Sequence, residues 1–174
     1  MAIWHFKFSL IPTEGLKRVF GTVDVAVVPE WVIQPDGPKY LELDELENLP
    51  GYWPNPATLR QIAITVSSFM PEMKSWSGEA RMFGSDEDNR VEVWGDDVCC
   101  HINLRDMDFE LLDQILSLAR RFDCRLAIHG TGAVSAPDTV SLAPHVEASN
   151  AYKFCRNPAG FLASLNKSPP ERDQ

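Results

Sequence analysis

The stretch "WGDDVCCHINLRDMDF", residues 94–109, concentrates side chains that can bind metals or act as nucleophiles: two cysteines, one histidine and four aspartates. If residues 98–105 form a strand, alternation sends Cys99 and His101 to one face and Cys100 to the other. A structural zinc needs four ligands, usually two close pairs, and the chain has no second pair. We therefore expect no metal and no cofactor, with Cys100 a buried small hydrophobe and His101 a polar surface residue.

Two further stretches resemble ligand loops only superficially. The acidic "SDEDNRVE" at 85–92 lacks the features of a calcium loop: Arg90 and Val91 occupy its fifth and sixth positions, and the twelfth is Asp97 in place of Glu. "GTGAVS" at 130–135 has too few glycines, and no Lys-Ser/Thr, for a phosphate loop. These patterns favour a hairpin turn for the first, and a hairpin turn or a strand–helix connection for the second.

A polar strand face is the strongest candidate for binding. Cross-strand pairing would bring side chains of the 98–105 strand within contact distance of those of the preceding strand. One interpretation is a solvated sheet face with surface salt bridges. The other is a partner-binding surface, in which a tryptophan and an arginine are favourable hot-spot types. The candidate residues are Trp94, His101, Asn103, Arg105, Arg90 and Glu92.

An enzyme or a small-molecule-binding domain is the alternative function. Cys99, His101, Asn103 and Arg105 would then line a cleft, and this requires a concave, partly buried pocket with perturbed ionisation. No GxSxG turn is present, and Cys99 near His101 is the sole sequence-local nucleophile–base pair. The sequence assigns no catalytic residue.

Composition and charge narrow the class of protein. A chain of 174 residues that is 44% hydrophobic is long enough for one well-formed core. No signal peptide or membrane span is evident and the four cysteines fit reduced thiols, so we expect a cytoplasmic protein. The net charge of −9 is uneven, because residues 1–113 carry 20 acidic and 9 basic side chains. This acidity disfavours nucleic acid and anionic membranes and favours either solubility or a basic partner.

The front of the chain predicts two strands and an irregular segment. Alternating apolar residues at 4–10 predict a strand with one buried face. A second strand is predicted over 19–28, "VFGTVDVAVV". Six of the thirteen prolines lie between Pro29 and Pro56, so the segment 29–56 is predicted to be a mostly irregular insertion.

The remainder predicts alternating helices and strands. A helix is predicted over 56–69, opened by Asn55 and Pro56. "EARMFG", "NRVEVW" and "VCCHINLR" predict an antiparallel meander, and a helix capped by Asp106 or Asp108 follows over 108–121, with Phe109 in its apolar stripe. "CRLAIHG" predicts a strand, and the C-terminal region predicts short helices broken at Pro144 and Pro158.

Several motifs resemble a group of small acidic bacterial proteins of unassigned biochemistry, some of them immunity proteins that neutralise polymorphic toxins. The motifs cover roughly residues 70–165: "MPEMKSW", "FGSDEDNRVEV", "HINLRD", "FELLDQILSLARRFDCRL" and "SNAYKFCRNPAGFL". The chain departs from the group's Arg-x-Asp-x-Arg strand, because His101 and Asn103 precede Arg105 there. The resemblance implies a non-enzymatic binding protein, with a basic toxin domain as its partner.

The combined prediction is a single α+β domain over 1–167. We expect an antiparallel sheet of five or six strands, with the two main helices on one face, short C-terminal helices closing an edge, and a disordered tail at 168–174. The predicted function is protein binding. The oligomeric state is left open.

Overall fold

A computed structural model describes residues 3–24, 52–130 and 133–165 of the chain. The predicted irregular segment, up to residue 51, and the predicted tail lie outside these residues. The strands are β1 His5–Pro12, β2 Glu72–Met73, β3 Arg81–Gly84, β4 Arg90–Val93, β5 Val98–Asn103, β6 Cys124–Ile128 and β7 Val134–Ser135. The helices are α1 Thr13–Phe20, α2 Pro56–Val66, α3 Phe109–Arg121, α4 Thr139–Ala148, α5 Asn150–Arg156 and α6 Pro158–Leu165.

The strands of the described residues form one antiparallel sheet in the order β2-β3-β4-β5-β1-β6-β7. The α+β prediction is confirmed, and so is the meander β3-β4-β5. The sheet has seven strands where five or six were expected. The extra strands are β2 and β7, which have two residues each and are too short to leave an alternating pattern.

One face of the sheet forms the hydrophobic core. Phe8 of β1 pairs with Cys100 of β5 on one side and with Ile128 of β6 on the other. Since side chains alternate along a strand, this register aligns apolar residues on a common face. Its members are Phe6, Phe8, Leu10, Val91, Val93, Val98, Cys100, Ile102, Leu126 and Ile128.

Helices α2 and α3 belong to this core and carry the predicted caps. Asn55 accepts a hydrogen bond from the Ala57 amide, and Asp108 accepts one from the Leu111 amide. Helix α3 buries Leu112, Ile115, Leu116, Leu118 and Ala119. The assignment of Phe109 to this stripe is wrong, because 71% of its surface is exposed.

The strand predicted over 19–28 is wrong in its described part. Val19 and Phe20 end helix α1, and Gly21 terminates it in the left-handed conformation, where its amide donates to the Lys17 carbonyl. Leu16, Val19 and Phe20 follow the i, i+3, i+4 spacing of a helix. Apolar and other residues continue to alternate in the sequence beyond Gly21, and this pattern led to the prediction of a strand in place of the short helix.

The C-terminal helices also differ from prediction. Pro144 lies inside α4, and the chain breaks at Ser149, which caps α5 by accepting from the Tyr152 amide. Helix α5 lies against β1, an inner strand of the sheet, so these helices do not simply close an edge. Pro158 begins α6 as predicted.

Candidate functional site

The second face of the sheet is polar and largely buried. It carries Ser9, Cys99, His101, Asn103 and Glu92, each at most 9% exposed. The interpretations of His101 as a surface residue and of this face as a solvated salt-bridge surface are therefore wrong. Buried polar groups are costly unless they are paired, so their partners decide what this face can do.

Four basic side chains lie side by side across this face. Arg90 of β4 pairs in register with His101 of β5, and His101 pairs with Lys7 of β1. His129 directly follows β6, and its amide donates to the Lys7 carbonyl. We call Arg90, His101, Lys7 and His129 the basic row. Such a row is unexpected in a chain with a net charge of −9.

Glu92 compensates one half of the basic row. Its Oε1 lies 2.7 Å from Arg90 Nε and 3.2 Å from His101 Nε2, and its Oε2 accepts from Trp94 Nε1 at 3.1 Å. Arg90 also pairs with Asp86. His101 Nε2 lies 3.5 Å from Cys99 Sγ. Arg90 and His101 therefore belong to an ionic cluster around Glu92, in which the Nε atom of Arg90 makes an ion pair but no hydrogen bond.

Burial and charge act in opposite directions on this cluster. Burial alone would raise the pKa of Glu92, but the hydrogen bond and charge of His101, the charge of Arg90 and the Trp94 hydrogen bond lower it overall. Burial also lowers the pKa of His101. Glu92 is therefore ionised, and its carboxylate accepts a hydrogen bond from His101 Nε2.

Ser9 connects Asp97 to the other half of the row. Ser9 Oγ lies 3.3 Å from Asp97 Oδ2 and 3.0 Å from His129 Nε2. Burial raises the pKa of Asp97 to about 7, and burial together with the charges of Lys7 and His101 lowers the pKa of His129 to about 4. Ser9 thus donates toward Asp97 and accepts from neutral His129. This order differs from a catalytic triad, in which histidine accepts the serine proton.

The cysteine of this face is also unsuited to nucleophilic attack. Burial, and then the negative charges of Asp97 and Glu92, raise the pKa of Cys99 well above its usual range. A thiol held in its neutral form is a weak nucleophile. Cys99 and His101 do lie together, as the sequence suggested, but their environment favours a structural role.

Asn103 joins β5 to the turn at residues 85–89. Its backbone amide donates to Asn89 Oδ1 at 2.9 Å. In its side chain, Nδ2 donates to Asp88 Oδ1 at 3.1 Å, and Oδ1 accepts from the backbone amide of Arg105 at 3.0 Å. These bonds use its side-chain donor and acceptor. The amide side chain, where the resembled group has aspartate, is explained here by the donation to Asp88.

The two predicted hot-spot residues lie apart. The Arg105 guanidinium lies over the Trp4 ring, 4.6 Å from its centroid, at the end of β5. Trp94 follows β4 at the other end of the β3–β4 hairpin and contacts Trp76, with ring centroids 5.3 Å apart. The structure therefore does not join the six predicted residues into one accessible face.

Exposed acidic residues cluster at the 85–89 turn and at the start of α3, where Phe109 is also exposed. A groove of about 480 Å³ lies between the 85–89 turn and the start of α3. Asp88 lines it on the side of the turn, and Asp108 and Glu110 line it on the side of the helix. We call this surface the acidic end; it comprises Asp86, Glu87, Asp88, Asp106, Asp108, Phe109 and Glu110. Its carboxylate residues are exposed.

Half of these carboxylates are not used by the fold. Asp86 forms an ion pair with Arg90, and Asp108 caps α3. Asp88 accepts hydrogen bonds from the side-chain amides of Asn89 and Asn103. Within the described residues, Glu87, Asp106 and Glu110 form no ion pair and no side-chain hydrogen bond. They remain available to a partner of opposite charge.

Sequence reasoning missed Lys7, Ser9 and His129 on the buried face. No local motif marks them, because cross-strand pairing brings them together over as many as 120 positions. The described residues contain no group of three or more His, Cys, Asp or Glu side chains placed to hold a metal ion. Nor does any helix in the described ranges have the length and apolarity to cross a membrane.

Comparison of the chain with protein-family models, curated proteins and solved structures gave no match.

Proposed function

We propose that the protein is a protein-binding domain whose acidic end binds a basic protein, and that it acts as a cytoplasmic immunity-type inhibitor of a toxin domain. The observation that carries the proposal is the exposed Phe109 at the start of α3, close in sequence to Asp106 and Glu110, whose carboxylates the fold leaves unpaired. The motif resemblance to immunity proteins supports the same function.

The chemistry of the acidic end suits such a partner. A large aromatic side chain at the centre of an interface loses contact with water on binding, and residues of this kind dominate binding energies. Surrounding carboxylates attract a cationic surface over distance and raise the association rate. Binding there would occupy the catalytic groove of a nuclease-type toxin, which is itself basic because its substrate is anionic.

The test measures binding to the protein encoded by the adjacent gene, using a catalytically inactive form of it. We expect nanomolar affinity, and a loss of about thirtyfold or more for Phe109→Ala. Glu87→Lys and Glu110→Lys should chiefly slow association, with a weaker dependence on salt. Trp76→Ala is the matched control, because Trp76 is 68% exposed but lies at the Trp94 end of the hairpin.

Two outcomes would overturn the proposal. Loss of binding in Trp76→Ala or Trp94→Ala, with Phe109→Ala unaffected, would move the interface to the other end of the molecule. The absence of binding to any product of the neighbouring genes, with a folded protein, would argue against an immunity function altogether.

A further inference from the structure

We propose that a cavity beside the basic row binds the phosphate group of a small organic molecule. The cavity lies between β1, the residues after β6 and the α4–α5 junction, and its volume is about 500 Å³. Lys7, His5 and His129 line it, together with Ser149 and Asn150. This site is separate from the acidic end, and the inference does not depend on a protein partner.

The two halves of the basic row differ in whether a carboxylate lies beside the basic side chains. Arg90 and His101 contact Glu92 within 3.2 Å. On the cavity side, no carboxylate of the described residues forms an ion pair with Lys7 or His129. Because His129 is neutral, the charge left without a carboxylate is that of Lys7, which lacks the counter-charge that Glu92 supplies to Arg90.

His5 adds an unused hydrogen-bonding group to the same cavity. It is 9% exposed, and its Nε2 atom is buried without a hydrogen-bond partner. An unsatisfied buried polar group is unfavourable. Since His5 also hydrogen-bonds to the Asp88 backbone, a bound anion would remove that cost by favouring the protonated ring, which can donate from Nε2 as well. Burial, and after it the neighbouring positive charges of His101, Arg90 and Lys7, lower the pKa of His5, which an anion in the cavity would oppose.

The donor set and the size of the cavity define the ligand class. Lys7 has three N–H donors, and His5 and the Asn150 side chain add hydrogen-bonding groups around the cavity. A phosphate group, with three acceptor oxygens and up to two charges, can contact more of these groups at once than a carboxylate with two oxygens. The volume exceeds what a bare phosphate needs and falls in the range of small-molecule sites. Ile3 and Ala151 provide apolar contact for the organic part.

The test is calorimetric titration of the full chain with glycerol phosphate, inorganic phosphate and acetate at constant ionic strength. We expect glycerol phosphate to bind more tightly than inorganic phosphate, and acetate to bind least. Lys7→Gln should weaken binding at least tenfold, whereas Lys17→Gln, an exposed lysine on α1, should not change it. In NMR spectra, phosphate should shift the imidazole signals of His5 and His129 but not that of His145, which does not line the cavity.

Asn150→Asp provides a second variant, because it places a negative charge on the exposed rim and should also weaken binding without disturbing the buried face. Unchanged affinity in both Lys7→Gln and Asn150→Asp would overturn the site. Equal binding of acetate would overturn the assignment to phosphate, and equal binding of the two phosphates would overturn the organic ligand. Phe109→Ala should leave these titrations unchanged, so this inference and the proposed protein partner fail independently.

Discussion

The acidic end and the basic row use charge in opposite ways, although β4 and β5 connect them. In the basic row, His101 is buried and Arg90, Lys7 and His129 are partly buried. A carboxylate lies beside Arg90 and His101, and burial lowers the pKa of both histidines. At the acidic end, several carboxylates are exposed and uncompensated. The difference indicates that charge at the acidic end contributes little to folding, whereas charge in the basic row is part of what holds the strands together.

The largest effect on stability is expected at Glu92. Glu92→Ala should lower the free energy of unfolding by about 3–5 kcal/mol, because Arg90 and the buried His101 would lose the carboxylate they share, and Arg90 would keep the exposed Asp86 as its partner. Urea denaturation measures the change. Glu79→Ala is the matched control at an exposed position and should stay within about 0.5 kcal/mol of the parent chain. Equal losses in the two variants would remove the distinction between buried and exposed charge.

A pH-dependent effect is expected at Asp97. Its folded pKa of about 7 lies above its usual 3.8, so the folded state holds a proton that the unfolded state has released, and this contribution to stability is lost as pH rises from about 4 to about 7. Asp97→Asn removes that loss and keeps an acceptor for the Val98 amide. As pH rises from about 4 to about 7, the free energy of unfolding of the variant should therefore increase relative to that of the parent, by on the order of 2–4 kcal/mol.

Denaturation at pH 4.5, 6 and 7.5 would measure the gain for Asp97→Asn. The dependence of the parent's stability on pH is less informative, because His129 affects it in the opposite direction. Since the folded pKa of His129 is about 4, its contribution to the free energy of unfolding decreases as pH falls from about 6.5 to 4. A constant difference between variant and parent at all three pH values would show that Asp97 is ionised normally.

The smallest effects on stability are expected at the acidic end. Phe109→Ala and Glu87→Gln should each change the free energy of unfolding by less than about 0.5 kcal/mol, because both side chains are exposed. Ile115→Ala, in the same helix as Phe109 but fully buried, should cost about 2–5 kcal/mol. Thermal unfolding of the three variants would sharpen the comparison, and a large cost at Phe109 would mean that it is a core residue.

The parts of the fold that were predicted correctly have local causes. Asn55 and Asp108 cap their helices through bonds to residues two and three positions away. The meander follows from turns of polar residues between short apolar runs. Helix α1 was missed because its apolar residues span only two turns before Gly21 ends it.

The candidate sites depended on information that the sequence pattern does not carry. Period-2 alternation placed His101 on the polar face but could not indicate that this face is buried. Lys7 and His129 became neighbours only through the pairing of β1 with β6. Phe109 fits the apolar spacing of α3, yet it lies in the first turn and is largely exposed.

The described part of the sheet ends on both sides in strands of two residues, β2 and β7. An outer strand this short presents few free amide and carbonyl groups, so an extended segment of another chain gains little by pairing with it. Such edges protect against strand-by-strand aggregation. A partner bound as proposed would be recognised chiefly through side chains, because the described edges leave little backbone for another strand to pair with.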